Sequence, residues 1–207
     1  MSRPILYGAD YSVYTRIARL ALAEKGVVYD FEVVDIFGHE MQPPAWYTEL
    51  QPFRKIPALK HSDLLLYETQ AIVRYVDAAF VGPALTPDTP AGVGRMAQII
   101  SVADSYAYPW LVWGVLVPER KGTALTDDAL DAAATCLAAL DSLLAEPFFL
   151  GESPTLADLQ VAPMLIYLGL TPSGMTLLER HPRLRTWLHG MQRRGSVQAT
   201  RYPAESS

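Results

Sequence analysis

The chain has little that would tie it to a membrane, a disulfide scaffold or nucleic acid. Cys136 is the only cysteine among 207 residues, so no disulfide can form within the chain and a reducing compartment is expected. No apolar run reaches the roughly 18 residues of a membrane span, and the first residues lack the apolar stretch of a signal peptide. The net charge is −5 and no long basic run occurs, which argues against a nucleic-acid surface. The composition predicts a soluble cytoplasmic protein with neither a nucleic-acid nor a membrane partner.

The remaining composition is that of a folded protein, because half of the residues are hydrophobic. Residues 1–80 alternate strand and helix patterns in the order β-α-β-α-β-β-α, which is typical of a thioredoxin-like fold with a mixed sheet. Residues 81–92 contain three prolines and two glycines and are predicted to form a linker. Residues 93–207 have helical patterns almost throughout. The sequence therefore predicts an α/β domain followed by an all-helical domain.

A proline corner is the most informative local feature of the first domain. Pro57 lies in a strand-like run, and because proline cannot donate to a ladder it must stand at a strand start, an edge or a bulge. A cis bond would turn the amide and carbonyl of Ile56 outward, towards a peptide ligand. The alternative is a trans proline that opens the strand, since only about 5–6% of such bonds are cis. Downstream, Glu68 and Thr69 open a helix whose N–H groups and hydroxyl suit an anionic group.

Three segments, taken together, point to one family. Residues 5–26 predict a strand, a loop and a helix closed by a glycine. Residues 51–69 hold the proline corner, a hairpin and the Glu-Thr pair, and residues 149–163 hold a helix start. In this order and spacing, the segments resemble the cytosolic glutathione transferases over nearly the whole chain. The resemblance implies glutathione as co-substrate, no metal, a homodimer, and detoxifying conjugation of small hydrophobic electrophiles.

Ser12 is the predicted catalytic residue. The thiol pKa of glutathione is near ~8.5, so a transferase must stabilise the thiolate with a donor, best placed beside a helix N-terminus. Ser12 lies between the first strand and the first helix, at the offset of the activating serine in serine-type, phi- and tau-like transferases. The alternative, that Ser12 only caps the helix, is compatible with catalysis. Tyr7 is one residue off the tyrosine position of other classes and is predicted to be structural, whereas Tyr11 and Tyr14 are fallbacks.

The resemblance also implies how the peptide backbone of glutathione is bound. Glu68 and Thr69 match the Glu-Ser pair that holds the γ-glutamyl amine and carboxylate, and threonine keeps the hydroxyl. Ile56, next to Pro57, would bond the backbone of the cysteinyl residue.

The glycyl end of glutathione is expected to meet Lys55 and, in addition, Gln42. The alternative for Lys55 is a solvated lysine on a loop. Gln51 stands where the family usually has asparagine, a mild departure from the pattern.

An aromatic run in the second domain is the candidate electrophile site, expected between the domains. Its rings supply apolar area with polar tips, which suits a flat hydrophobic substrate. The alternative is that they pack against a neighbouring helix or a partner subunit. The predicted residues are Tyr106, Tyr108, Trp110 and Trp113, with Tyr11 from the first domain.

Two further features have structural predictions. Thr155 and Asp158 form a capping-box pattern that resembles the folding signature of the family, so no catalytic role is assigned to them. Cys136 lies in an alanine-rich helical run and is predicted to be a small core residue.

Two alternatives to the transferase remain open from the sequence. One is a glutathione-dependent isomerase of the maleylacetoacetate type. That branch usually has a double serine after the first strand, whereas Val13 follows Ser12 here. The other is a binding or regulatory module that has kept the fold and lost the chemistry.

Overall fold

The computed structural model describes residues 2–37 and 42–206. Two compact units are present: the residues up to Pro83 together with those from Ala199 onward, and the residues Ala84–Gln198 between them. The predicted helical domain runs from residue 93 to 207, but in the structure the last residues group with the first unit. The predicted linker, 81–92, includes the boundary between the units and the start of a helix at Pro90.

The first unit has the predicted thioredoxin-like element order, β-α-β-α-β-β-α, and this prediction is confirmed. Its elements are β1 (Ile5–Gly8), α1 (Val13–Glu24), β2 (Asp30–Val33), α2 (Ala45–Leu50), β3 (Ala58–His61), β4 (Leu64–Tyr67) and α3 (Thr69–Ala79).

The sheet of the first unit has the strand order β2-β1-β3-β4. β1 is parallel to β2 and antiparallel to β3, and β3 and β4 form the predicted hairpin. The central strands β1 and β3 are largely buried, whereas β2 at the edge is mostly exposed. Side chains alternate between the faces of a strand. Tyr7 packs in one core cluster with Tyr47 of α2, while α1 and α3 pack against each other.

Helix α1 follows directly from its sequence pattern. Ile17, Leu20 and Ala21 recur at helical spacing and are buried. Gly26 has φ +65°, a left-handed conformation that glycine adopts without strain, and the N–H of Val27 donates to the carbonyl of Leu22. Gly26 therefore terminates the helix, as the sequence predicts.

The remaining elements are helical. They are α4 (Pro90–Val102), a π-helix (Ala103–Leu116), α5 (Val117–Arg120), α6 (Asp127–Leu143), α7 (Leu156–Leu168), α8 (Pro172–Glu179), α9 (Pro182–Gln192), α10 (Gly195–Ala199) and a 3-10 turn (Pro203–Ser206). Helix α7 is buried along its whole length and forms the core of the second unit. Among residues 2–37 and 42–206, no helix has both the length and the apolar character needed to cross a membrane.

Candidate functional site

Ser12 occupies the N-cap of α1, with extended backbone angles of φ −80° and ψ 121°. Its Oγ accepts the N–H of Thr15 at 3.2 Å, and its own N–H donates to the carbonyl of Ala9 at 3.1 Å. A hydroxyl that accepts one hydrogen bond can still donate its proton to another group. The first turn of α1 contains no acidic residue, so the positive end of the helix dipole is not offset there. The side chain therefore caps the helix and retains a donor.

Gly8 allows β1 and α1 to meet closely just before this turn. A Cβ at Gly8 would lie inside van der Waals distance of the Thr15 side chain. Any larger residue would push the strand and the helix apart. The glycine thus sets the position at which the chain turns from β1 towards Ser12.

The hydroxyl of Tyr11 already donates its proton within the protein. The hydroxyl donates to Asp35 Oδ1 at 2.8 Å and accepts the N–H of Ile36 at 3.2 Å. Burial, together with the hydrogen bond to Asp35, raises the pKa of Tyr11 to about 12. Its place as a fallback activator or as an electrophile contact stays a prediction.

Tyr7 lies in the core, 6% exposed, in ring contact with Trp46 and Tyr47. Burial and the nearby negative charge of Glu32 raise the pKa of its hydroxyl. This environment agrees with the structural role predicted from its one-residue offset.

The bond between Ile56 and Pro57 is cis, the less common of the two forms considered. In the residues that the structure describes, the backbone of Ile56 makes no hydrogen bond, although its side chain is buried. The preceding residue is held firmly. The N–H of Lys55 donates to Gln51 Oε1 at 3.1 Å, and its carbonyl accepts the hydroxyl of Tyr47 at 2.7 Å. The corner therefore presents unpaired backbone groups on a fixed support.

Gln51 and Tyr47 hold the backbone of Lys55, a contact that the sequence did not predict. Gln51 is 1% exposed, and Tyr47 is fully buried. Burial raises the pKa of the Tyr47 hydroxyl well above its ordinary value, so it remains a donor. In the sequence, only the departure from asparagine at Gln51 pointed to this support of Lys55.

The side chains of Lys55 and Gln42 are both exposed. In the described part of the chain, the Lys55 ammonium has no ion pair or hydrogen bond. Gln42 Oε1 accepts a long hydrogen bond from Arg54 Nη1 at 3.4 Å. Arg54, which the sequence did not select, has φ +56° and adds a second exposed cation beside the corner.

Glu68 has an unusual backbone for a residue with a side chain, φ +70° and ψ 116°. Its carboxylate is exposed and makes no capping hydrogen bond to α3, which begins at the buried Thr69. A strained left-handed residue of this kind costs of the order of 1–3 kcal/mol and is most often found at functional sites.

Strand register brings these pieces together. Tyr7 in β1 and Tyr67 in β4 pair with Ala58, the first residue of β3 from either side. Because Pro57 precedes Ala58 and Glu68 follows Tyr67, the proline corner and the Glu-Thr pair lie at one end of the sheet. The β1–α1 loop leaves β1 at the same end. The β1–α1 loop, the proline corner and the Glu-Thr pair thus share one end of the sheet.

The aromatic run of the second unit lies on the π-helix, not on the α-helix that the sequence predicts. Its hydrogen bonds join residues five apart, as between the N–H of Val117 and the carbonyl of Val112. Tyr108 and Trp113 are also five apart, and the Trp113 side chain donates a hydrogen bond to the Tyr108 hydroxyl. Burial raises the pKa of Tyr108, and this hydrogen bond opposes the rise. Tyr106 and Trp110 are both exposed.

Thr155 and Asp158 form the predicted capping box at the start of α7. Asp158 is fully buried, and its carboxylate also accepts the N–H of Phe149 at 3.0 Å and Nε1–H of Trp187 at 2.9 Å. Burial raises the pKa of this carboxyl, and its hydrogen bonds oppose the rise. Cys136 is buried in α6, and burial raises the pKa of its thiol, which agrees with a core position.

Comparisons with known proteins identify the family. Family models for the glutathione S-transferase N-terminal domain and C-terminal domain match residues 11–79 and 123–190. A stringent starvation protein A homolog from Pasteurella multocida is 30% identical, over 77% of this chain and 72% of the relative. Glutathione S-transferase F14 from Arabidopsis thaliana is 28% identical, over 86% and 74%. The structure of glutathione S-transferase III in apo form has a TM-score of 0.80 and 30% identity, covering 96% of this chain and 95% of that one. The chain therefore belongs to the cytosolic glutathione S-transferase superfamily.

Proposed function

We propose that this protein adds the thiolate of glutathione to small apolar electrophiles, and that Ser12 stabilises the thiolate. One observation carries the proposal. The Ser12 hydroxyl caps α1 through its oxygen, and its proton remains available to a ligand. Ser12 lies at the same end of the sheet as the proline corner. Family membership supports a transferase of this kind.

The energetic requirement for activating the thiol is modest. Lowering a thiol pKa from near ~8.5 by about two units corresponds to roughly 2.7 kcal/mol. A hydrogen bond to a charged group contributes about 1.5–3 kcal/mol, and a helix N-terminus adds about 0.3–1 kcal/mol. Ser12 and the first turn of α1 together can therefore supply the shift, without another charged residue.

The rest of glutathione is proposed to bind at the same end of the sheet. Glu68 and Thr69 would bind the γ-glutamyl amine and carboxylate, since an exposed carboxylate and a helix start offer both charges a partner. The unpaired N–H and carbonyl of Ile56 would pair with the cysteinyl backbone beside Pro57.

The glycyl carboxylate is proposed to meet the exposed cation of Lys55, with Gln42 nearby. Arg54, which is exposed and adjoins Lys55 in the chain, would offer a second cation to the same carboxylate. The electrophile is proposed to contact the aromatic side chains at Tyr11, Tyr106, Tyr108, Trp110 and Trp113.

The proposal extends to the setting in which the enzyme works. A cytoplasmic detoxifying homodimer is the expected form for a member of this superfamily. Phe53 is 63% exposed and makes an edge contact with the ring of Tyr67, so this unit carries apolar area on its surface that a second subunit would cover. Sedimentation of the purified protein tests the dimer.

The experiment that tests the function is a titration of bound glutathione, followed by the ultraviolet absorbance of its thiolate. The parent protein should give a thiol pKa about two units below the free value. Ser12→Ala should bring it back towards ~8.5 and lower turnover by roughly ten- to a thousand-fold, the effect of losing one oriented donor. Ser12→Thr keeps the hydroxyl and serves as the matched control. An ordinary pKa in the parent, despite tight binding, would reject the enzyme.

That negative outcome would favour a second candidate, a module that binds glutathione without chemistry. The specific observation behind it is the 30% identical relative, whose name refers to stringent starvation and to no transferase. An isomerase of dicarboxylates remains a third candidate, tested by assaying maleylacetoacetate with glutathione present.

A further inference from the structure

A buried ion pair joins α1 to the C-terminal residues within the first unit. The Arg16 guanidinium donates from Nη1 to Glu205 Oε1 at 2.5 Å and from Nη2 to Oε2 at 3.2 Å. The side chain of Arg16 is 1% exposed and that of Glu205 is 10% exposed. The two residues are 189 positions apart in the chain, so this contact has no local cause.

Glu205 is held in place by its own turn. Glu205 lies in the 3-10 turn Pro203–Ser206, and its Oε1 also accepts the N–H of Tyr202 at 2.7 Å. A buried guanidinium is costly unless a carboxylate meets it with good geometry, and removal of one partner leaves an uncompensated charge. The turn therefore has a specific place on α1.

Arg16 lies one helix turn after Ser12. Ser12 and Arg16 are four residues apart, which puts them on one face of a helix, and long helical side chains lean back towards the N-terminus. Arg16 is also the first charged residue of α1. The backbone connects the two directly, since the N–H of Arg16 donates to the carbonyl of Ser12 at 3.0 Å.

The other charged groups around α1 are accounted for. Asp10 forms an ion pair with Arg19, and Asp35 accepts the hydroxyl of Tyr11. Further charges lie near the other end of α1, namely Glu24 within the helix and the ion pair between Lys25 and Asp77, which joins that end to α3.

We propose that Arg16 and Glu205 are positioning residues of the thiolate site: Glu205 neutralises and holds Arg16, and the pair fixes the first turn of α1, which presents Ser12. This inference rests on the proposed role of Ser12. It also makes the C-terminal residues a part of the glutathione-binding unit, although they follow the helical unit in sequence.

The test compares Glu205→Gln, Arg16→Met and the double variant with Glu152→Gln, an exposed control that removes the same charge from the second unit. Hydrogen exchange of the amides in residues 12–17 is read first, without substrate. We expect about ten-fold faster exchange in Glu205→Gln and parent-like exchange in the control.

The second readout is the dependence of kcat/KM on pH. Glu205→Gln removes the carboxylate charge that faces the Arg16 guanidinium, one helix turn from Ser12, so the apparent pKa of the profile should fall by about half a unit to one unit. Arg16→Met and the double variant should show no such fall. A merely structural pair would lower the melting temperature of all three variants without this difference in direction.

The two proposals fail separately. Parent-like hydrogen exchange in Glu205→Gln, with an unshifted pH profile, overturns the positioning role even where Ser12→Ala is inactive. Conversely, an active Ser12→Ala rejects the role of Ser12, while faster exchange in Glu205→Gln still establishes that the pair fixes this turn.

Discussion

At the scale of single residues, two neighbouring hydroxyl groups have opposite hydrogen-bonding roles. The oxygen of Ser12 accepts from the backbone of Thr15, and its proton remains available. The hydroxyl of Tyr11 gives its proton to Asp35 and is therefore engaged before any ligand arrives. The difference favours Ser12 over Tyr11 as the donor to a thiolate.

Replacing Tyr11 by phenylalanine should therefore change turnover less than about three-fold, unlike Ser12→Ala.

The same replacement should also change how the stability of the protein depends on pH in alkali. The folded-state pKa of Tyr11 is raised to about 12 from an ordinary value of 10.0, so its contribution to stability is complete below pH 10 and is lost as the pH rises towards 12. Urea midpoints measured across this range should fall more steeply in the parent than in Tyr11→Phe. Parallel pH profiles of the two proteins would refute the raised pKa of Tyr11.

The buried amide of Gln51 leads to a prediction about affinity. Gln51→Met removes the acceptor that holds the N–H of Lys55 and leaves that donor unpaired, at a cost of about 1–3 kcal/mol to the local structure. The KM for glutathione should rise about ten-fold, while the KM for the electrophile stays near its parent value. In Gln51→Asn, whose side chain is one methylene shorter, the KM for glutathione should lie between that of the parent and that of Gln51→Met. An unchanged KM for glutathione in Gln51→Met would show that the corner does not need this support.

At the scale of elements, the first turn of α7 is held by several hydrogen bonds to one buried carboxylate, that of Asp158. Asp158 satisfies donors from three places in the second unit: its own N-cap, Phe149 and Trp187. Since the whole of α7 is buried, fraying of its first turn would expose apolar surface as well as backbone groups.

Thr155→Ala and Asp158→Ala should each lower the free energy of unfolding by on the order of 1 kcal/mol or more, with Asp158→Ala the more damaging. Specific activity of the folded fraction should be retained. Thr126→Ala is the control, because Thr126 caps α6 in the same way but is exposed. Thermal melts of the α7 variants that overlay the parent would contradict the capping box as a source of stability.

Sequence predicted those features whose cause is local. Thr155 and Asp158 are three residues apart and act on one helix turn, so their pattern was readable. Sequence could not predict the pair of Arg16 and Glu205, because it depends on how distant segments pack. The π-helix depends on packing as well, since the aromatic pattern alone is compatible with an α-helix.

The candidate site likewise has parts that the sequence could predict and parts that it could not. The capping position of Ser12, at a strand-to-helix junction, could be predicted from the sequence pattern, whereas the cis form of Pro57 is the rarer of two isomers and could not. The support from Gln51 was hidden, because a glutamine in a loop is ordinarily exposed.

At the scale of the whole molecule, the two substrates are proposed to depend on different units. In this proposal the glutathione contacts would come from the first unit, and most electrophile contacts from the π-helix of the second. Changes in one unit should therefore affect one substrate more than the other.

Tyr106→Ala and Trp113→Ala, made separately, test this division. Apolar burial contributes about 25 cal/mol per Å², so loss of most of a tryptophan contact costs ~2 kcal/mol. At least one variant should lose kcat/KM for an aromatic electrophile, by up to about thirty-fold, with half-saturation by glutathione near the parent value. Equal losses for both substrates, with a smaller mass on a sizing column, would instead assign these exposed rings to a subunit interface.

The π-helix also limits how knowledge can be transferred from relatives. In an α-helix, side chains three and four positions apart are neighbours, whereas here Tyr108 has Trp113, five positions on, as its partner. Where a relative keeps an ordinary α-helix in this segment, a position-by-position alignment equates residues that point in different directions. Substrate preferences copied through such an alignment would be attributed to the wrong side chains from residue 103 to 116.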